Sequence, residues 1–489
     1  MKILDELASE FRSLPKPVWR GQVAGALGMT IEVVGLERVL AVGDQCHVQT
    51  RAGAHVVCET VGFRGDRAIL MATEDLHGIA VGCAVHFNET LATIRPCDGW
   101  LGRIINARAE PIDGKGPLPR GEFVVPLMNT PPNACARRPI GRKIDTFIRA
   151  LDTMAPLCEG QRMGIFAGSG VGKSTLLSML ARRSSADVNV IGLIGERGRE
   201  VNEFIVKNLG EKGLERSIMV VATADEMPLM RRRAAYLTMA VAEDQRKRGR
   251  QVLCMIDSIT RFAMAQREIG LSAGEPPLAK GYPPTVFSEL PRLFERAGPG
   301  MASQGDITGI FTVLVEGDDH NEPIADAVRG LLDGHLVLSR SIGEQGRYPA
   351  IDLVRSISRT LPGAHSDWEN AVRLAARKSM ATYGDREELI RMGAYRRGSD
   401  AETDAAMEQK PKLDAFFSQS EYEATSPAES FDRLGAIMGF ENPDAPQTSE
   451  TSFGPDDSRV EIMGPEAGPH GSSDLQVGPI DGVSEPAST

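Results

Sequence analysis

The sequence predicts an α/β fold with a parallel sheet at its centre, a small β-barrel ahead of it and a helical domain behind it. Three observations predict this. From about Asp98 to Pro362, apolar β-type segments (NVIGLI, SIMVVATA, QVLCMID, TGIFTVLVE, GHLVLS) alternate with helical stretches, the pattern of strands covered by helices on both faces. From Arg20 to about Arg95 the chain instead shows short alternating apolar runs broken by Gly and Asp, as in TIEVVGLERVLAVGDQCHVQT, which suits a small closed β-domain. After Pro362 the spacing turns helical through WENAVRLAARKSMATYGDREELIRMGAY and again near DRLGAIM, up to about residue 440.

The two ends read differently. Over residues 1–19, Ile3, Leu4, Leu7, Phe11 and Leu14 fall at helical spacing before Pro15 and Pro17 stop the pattern. This amphipathic helix either packs on its own domain or docks a partner. Residues 441–489 hold ten acids against the single base Arg459 and are rich in Gly, Pro and Ser, so they bury too little apolar surface to offset the entropy of ordering and read as a disordered acidic tail. The formal charge of −11 lies mostly there, leaving −2 for the first 440 residues.

At 489 residues, 42% of them hydrophobic, the chain divides into two to four domains. No apolar stretch is long enough to span a membrane, and Asp5 and Glu6 stand where a signal peptide needs a basic then apolar run. Seven scattered cysteines without a C-x-x-C pair suggest neither a disulfide framework nor a thiolate metal site, so the reducing cytoplasm is expected. Residues 21–95 carry five basic residues against eight acids, with Phe63 and Phe87 the sole aromatics. Stacking platforms and a basic groove are both missing, which argues against a nucleic-acid partner. His47, His55, His77 and His86 show no ligand spacing.

The chemistry begins at GIFAGSGVGKSTLLSML, which follows a candidate strand and opens a candidate helix. Gly168, Gly170 and Gly172, with Ser169 and Val171 between them, let backbone N–H groups turn inward around phosphates, and the following helix aims its positive end at them. Lys173 supplies a point charge and Ser174, followed by Thr175, a hydroxyl for Mg²⁺. Ala167 replaces the first glycine of the pattern. Downstream, QVLCMIDS places Asp257 at a strand end, as an acid that holds Mg²⁺ requires. NVIGLI ends at GERGRE, putting Glu196 and Arg197 at the carboxyl edge of the same sheet. A carboxylate there can deprotonate the water that attacks a γ-phosphate; the alternative is an ion pair within a charged surface loop.

PAIDLVRSISR, Pro349 to Arg359, fits the pattern P-[SAP]-[LIV]-[DNH]-x-x-x-S-x-S of the nucleotide-binding subunits of rotary ATP synthases and their relatives. RRPIGRKID, GERGREVNEF, DSITRFAMAQREIG and GEPPLAKGYPPTVFSELPRLFERAG most closely resemble the type III export ATPases, above all the flagellum-specific one, over roughly residues 20–440. The resemblance implies a RecA-like core over 96–362, a barrel over 20–95 and a C-terminal helical domain over 363–440. It implies an ATP- and Mg²⁺-dependent homohexamer that energises flagellar export, peripheral to the inner membrane. Its expected partners are a regulatory stalk protein at the N-terminal helix, the export gate and chaperone–substrate complexes. Glu196 matches the family's catalytic glutamate, Arg197 and Arg261 its active-site arginines, Tyr348 the aromatic on adenine, and Arg359 the finger given to the neighbour's nucleotide. Alternatives are the needle-type secretion ATPase, the catalytic subunit of a rotary ATP synthase, and a hexameric RNA translocase, which residues 21–95 disfavour.

Overall fold

The computed structural model describes residues 18–87, 92–315 and 322–443. The segment expected as an N-terminal helix, up to residue 17, and the acidic tail from 444 onward lie outside the described residues.

Six strands, β1 (Trp19–Leu27), β2 (Thr30–Val34), β3 (Gln45–Gln49), β4 (His55–Arg64), β5 (Arg67–Ala72) and β6 (Ala84–Phe87), close into a barrel in the order β1-β2-β5-β4-β3-β6. Strict alternation drives it: in β2 and β3 every second residue is buried, and Ile31, Val33, Cys46, Val48, Cys58, Leu70 and Val85 fill the interior. Closure leaves no free sheet edge.

The central sheet uses β7 (Ile104–Asn106), β8 (Arg162–Ala167), β9 (Val188–Glu196), β10 (Ser217–Thr223), β11 (Val252–Asp257), β12 (Asp306–Leu314), β13 (Gly334–Leu338) and β14 (Ile351–Ser358), in the order β14-β13-β8-β12-β11-β9-β10-β7. These eight run parallel except β14, which pairs antiparallel with β13 at one edge, and a ninth, two-residue strand, Gly298–Pro299, joins β12 antiparallel. The near-continuous apolar runs of β9 and β11 are explained by burial on both faces. On one face Val190, Ile194, Cys254, Ile256 and Phe311 meet the helices α3 (Pro228–Lys247), α4 (Ile259–Ala273) and α5 (Pro284–Phe294). On the other Ile165, Ile191, Leu193, Met255 and Ile310 meet α2 (Lys173–Arg183). The short α1 (Arg149–Met154) then links this face to the C-terminal helices α6 (Asp367–Arg391), α7 (Ala401–Phe417) and α8 (Pro427–Met438). A capping box between Ser366 and Glu369 starts α6.

One buried ion pair ties α3 to the chain around it. Arg296, 2% exposed, holds fully buried Glu243 through two bonds of 2.9 and 3.0 Å and donates to Leu127 O at 2.8 Å. Replacing Glu243 by Ala strands a buried guanidinium, and destabilisation of about 3–5 kcal/mol is expected, read as a lower urea midpoint. An unchanged midpoint would show the pair to be energetically neutral.

Among the described residues no helix is long and apolar enough to cross a membrane.

Candidate active site

The loop after β8 carries the phosphate-binding sequence. Gly170 (φ +78°) and Gly172 (φ +92°) adopt left-handed backbone that L side chains avoid, which is why the pattern demands glycine there. No side chain caps the first turn of α2, so its N–H groups and dipole face the loop. Val171 is buried, Ser169 and Ser174 are exposed, and Thr175 is partly buried with its carbonyl taken by the Ser178 hydroxyl at 2.8 Å.

Two strand ends converge on Lys173. Its Nζ lies 2.5 Å from Asp257 Oδ1 at the tip of β11 and 3.1 Å from Glu196 Oε1 at the tip of β9. Thr312 on β12 also donates to Asp257 Oδ1, at 2.6 Å, so Asp257 spends one oxygen on both neighbours. Burial pushes the Lys173 ammonium down, but the charge of Asp257, then of Glu196, outweighs it and holds the pKa above its ordinary value. Burial pushes the Glu196 carboxyl up; the pull of Lys173 offsets this only in part, and repulsion from Asp257 adds to it. A half-buried carboxylate with raised proton affinity beside a phosphate loop suits a general base.

The arginines separate. Gly195 (φ +71°) precedes Glu196, and a Cβ there would stand 2.8 Å from Arg261 Cβ, so only glycine lets Arg261 from α4 lie against the tip of β9. Arg261 Nε has no hydrogen-bond partner. Arg197 instead turns outward, its side chain 80% exposed and 3.5 Å from Glu200, and the structure does not bring it to Lys173.

Tyr348 and Arg359 bracket β14 and lie at opposite ends of this edge strand. Tyr348 stands by the loop: a Cβ on Gly172 would be 3.7 Å from Tyr348 Cδ1, and the tyrosine is 48% exposed, leaving ring surface open. Along β14 the register pairs Ile351 with Leu338 and Ala167 at the loop end, and Ser358 with Gly334 and Met163 at the far end. Arg359, exposed and anchored by its backbone N–H on Asp333 O at 2.9 Å, thus sits four strand residues, about 13 Å, below the start of its own chain's loop.

Two contacts escaped the sequence reading. Arg340 Nη2 donates to Ser169 O at 3.3 Å, tying the segment before Tyr348 to the phosphate loop, and Thr312 steadies Asp257. An arginine just past the strand GHLVLS was the available signal for the first; a threonine inside a buried strand gives none for the second.

Residues 148–358 match the ATP synthase alpha/beta family, nucleotide-binding domain, and residues 367–436 the T3SS EscN ATPase C-terminal domain. The chain is 53% identical over 426 residues to the flagellum-specific ATP synthase of Caulobacter vibrioides, covering 86% of this chain and 96% of that one. The chain belongs to the family of flagellum-specific ATP synthases and type III secretion ATPases. The type 3 secretion system ATPase of Xanthomonas euvesicatoria is 45% identical, with 82% and 89% covered. Among solved structures, the assembled ATPase EscN of enteropathogenic E. coli superposes with a TM-score of 0.80 at 37% identity, over 86% of this chain and all of that one. EscN in complex with its central stalk EscO gives 0.77 at 36%, again over 86% of this chain and all of that one. The chain is therefore an ATPase of ATP-driven type III export.

Proposed function

We propose that the chain is a Mg²⁺-dependent ATPase that works as a ring of six identical copies, hydrolysing ATP in clefts between neighbours to drive flagellar protein export. One observation carries this reading: Arg359 follows the end of β14 that lies away from its own phosphate loop, which supports a role for its charge at another copy's nucleotide. The assembled state named for EscN supports the ring, and the 53% identity to a flagellum-specific relative supports the flagellar branch.

Within a copy, the loop amides of Gly168–Gly172 and Lys173 bind the β- and γ-phosphates, and Tyr348 stacks on adenine. Glu196 orients the attacking water and takes its proton. Arg261 faces the charge that develops as the γ-phosphoryl leaves. The donors fit Mg²⁺: the Ser174 hydroxyl is exposed at the helix start and Asp257 keeps Oδ2 beyond its two neighbours, hard oxygen ligands few enough to leave room for phosphate oxygens and water. When bound, Mg²⁺ neutralises charge building on the phosphates.

The EscN–EscO complex supports a stalk partner, which we place at the N-terminal segment. The export gate and chaperone–substrate complexes complete the partner set, at the cytoplasmic face of the inner membrane; no nucleic acid is involved. The test is export itself. Deleting this chain from its cell cuts secretion of flagellar filament protein, the wild-type chain restores it and Lys173→Ala does not. Undiminished secretion in the deletion strain overturns the reading.

A further inference from the structure

Between α7 and α8 the chain forms a strap, residues 416–425, fastened to the nucleotide domain from three sides. Arg149, 2% exposed, reaches across from α1: Nε donates to Phe416 O at 2.6 Å, Nη2 to Ser418 O at 2.6 Å and Nη1 to Thr425 Oγ1 at 3.0 Å, while Glu423 pairs with its guanidinium. Arg182 and Arg183, in the last turn of α2, donate to the carbonyls of Glu421 and Glu423. The third fastening is Gln419, 3% exposed. Its backbone N–H donates to Tyr348 O at 2.7 Å. Its side-chain Oε1 accepts from Arg149 N at 2.9 Å, and Nε2 donates to Phe147 O at 2.8 Å and Glu423 O at 3.0 Å.

Phe147 adds a reason for those bonds. It holds φ +57°, left-handed backbone that is costly for a bulky side chain and persists only where surrounding contacts over-determine it. The Gln419 amide supplies one such contact. The strap thus touches both walls of the cleft, the helix that carries the phosphate loop on one side and the tyrosine segment on the other.

We propose that Gln419 is a positioning residue that sets where the Tyr348 ring stands over the phosphate loop, and so how tightly the C-terminal domain lets adenine be held. The inference rests on the reading of Tyr348 above. Tyr348 is half exposed, so side-chain packing alone does not fix it, and the bond from Gln419 is the fastening on its backbone carbonyl. Removing the Gln419 side chain leaves the Arg149 N–H and the Phe147 carbonyl unpaired in a buried setting, and the strap relaxes away from Tyr348. Adenine contacts are made equally in ground and transition states, so the loss falls on KM and not on kcat.

The test is steady-state ATP hydrolysis by the full chain, with thermal melting alongside, for Gln419→Ala, Tyr348→Ala, the double variant and Leu434→Ala, a buried α8 residue that makes none of the strap's hydrogen bonds. Gln419→Met, which keeps the volume, serves if the alanine chain fails to fold. Tyr348→Ala is expected to raise KM about ten- to a hundredfold, the range of a lost base–aromatic stack. Gln419→Ala is expected to raise it about three- to tenfold with kcat within about twofold, and the double variant to match Tyr348→Ala, because one residue acts through the other. A Gln419 effect on KM no larger than that of Leu434→Ala, or fully multiplicative effects in the double variant, overturns the proposal alone. An unchanged KM in Tyr348→Ala overturns the adenine assignment and the proposal with it.

Discussion

Glu196→Gln stops ATP turnover while leaving ATP bound. The substitution keeps the shape of the side chain and an oxygen for Lys173, 3.1 Å away, but removes the group that accepts a proton from water. General-base loss costs about 10²–10⁴ in rate, whereas the loop amides, the helix dipole and Lys173 still hold the phosphates. Lys173→Ala is expected to remove both. Without the ammonium, Glu196 and Asp257 face each other in a half-dry cleft with no countercharge, and a triphosphate meets two carboxylates where it met a cation. Retention of a fluorescent ATP analogue separates the two variants, bound in one and lost in the other. Wild-type turnover by Glu196→Gln would sink the base assignment.

Arg359→Ala lowers kcat of the assembled protein by about 10³–10⁵, the range measured for a supplied arginine at a transferring phosphoryl group. The loss is expected to be felt next door, since Arg359 lies below its own loop. Two further results follow. Specific activity rises steeply with protein concentration as copies meet. Mixing equal amounts of Arg359→Ala and Lys173→Ala chains, each inert alone, restores about a quarter of wild-type activity, because in a randomly mixed ring one ordered neighbour pair in four joins an intact Lys173 to an intact Arg359. A mixture no more active than its separate parts overturns the shared cleft.

Much of this site was legible in the sequence, and for physical reasons. A strand burying both faces reads as a continuous apolar run, so the chemistry at its end stands out: Asp257 after VLCMI and Glu196 after NVIGLI were visible because an acid ending such a run has no place in a core. The loop was visible because glycines spaced for left-handed backbone are rarely put to other use. Arg197 and Arg261 show where proximity in sequence misleads. The register shift between Ile194 and Glu196 and the helix that follows turn Arg197 to solvent, while Arg261 arrives from a different helix to lie on Gly195. Arg340 and Gln419 work through backbone carbonyls, which carry no residue code, so no pattern announces them. Strand order is set by packing between distant segments, and the antiparallel turn of β14 was likewise invisible in its own letters.

That reversed edge strand has one more effect. Its eight residues, Ile351–Ser358, bulge between Asp352 and Ile357 and so run beside only four residue steps of β13, about 13 Å, with Tyr348 leading into one tip and Arg359 leaving the other. In the proposed circle of identical copies, each span starts at its own fuel and leads, through that one bulge, toward the copy beside it. All spans point the same way round, so the circle has a built-in sense, clockwise or counter-clockwise, in which the closing of one compartment is handed to the next.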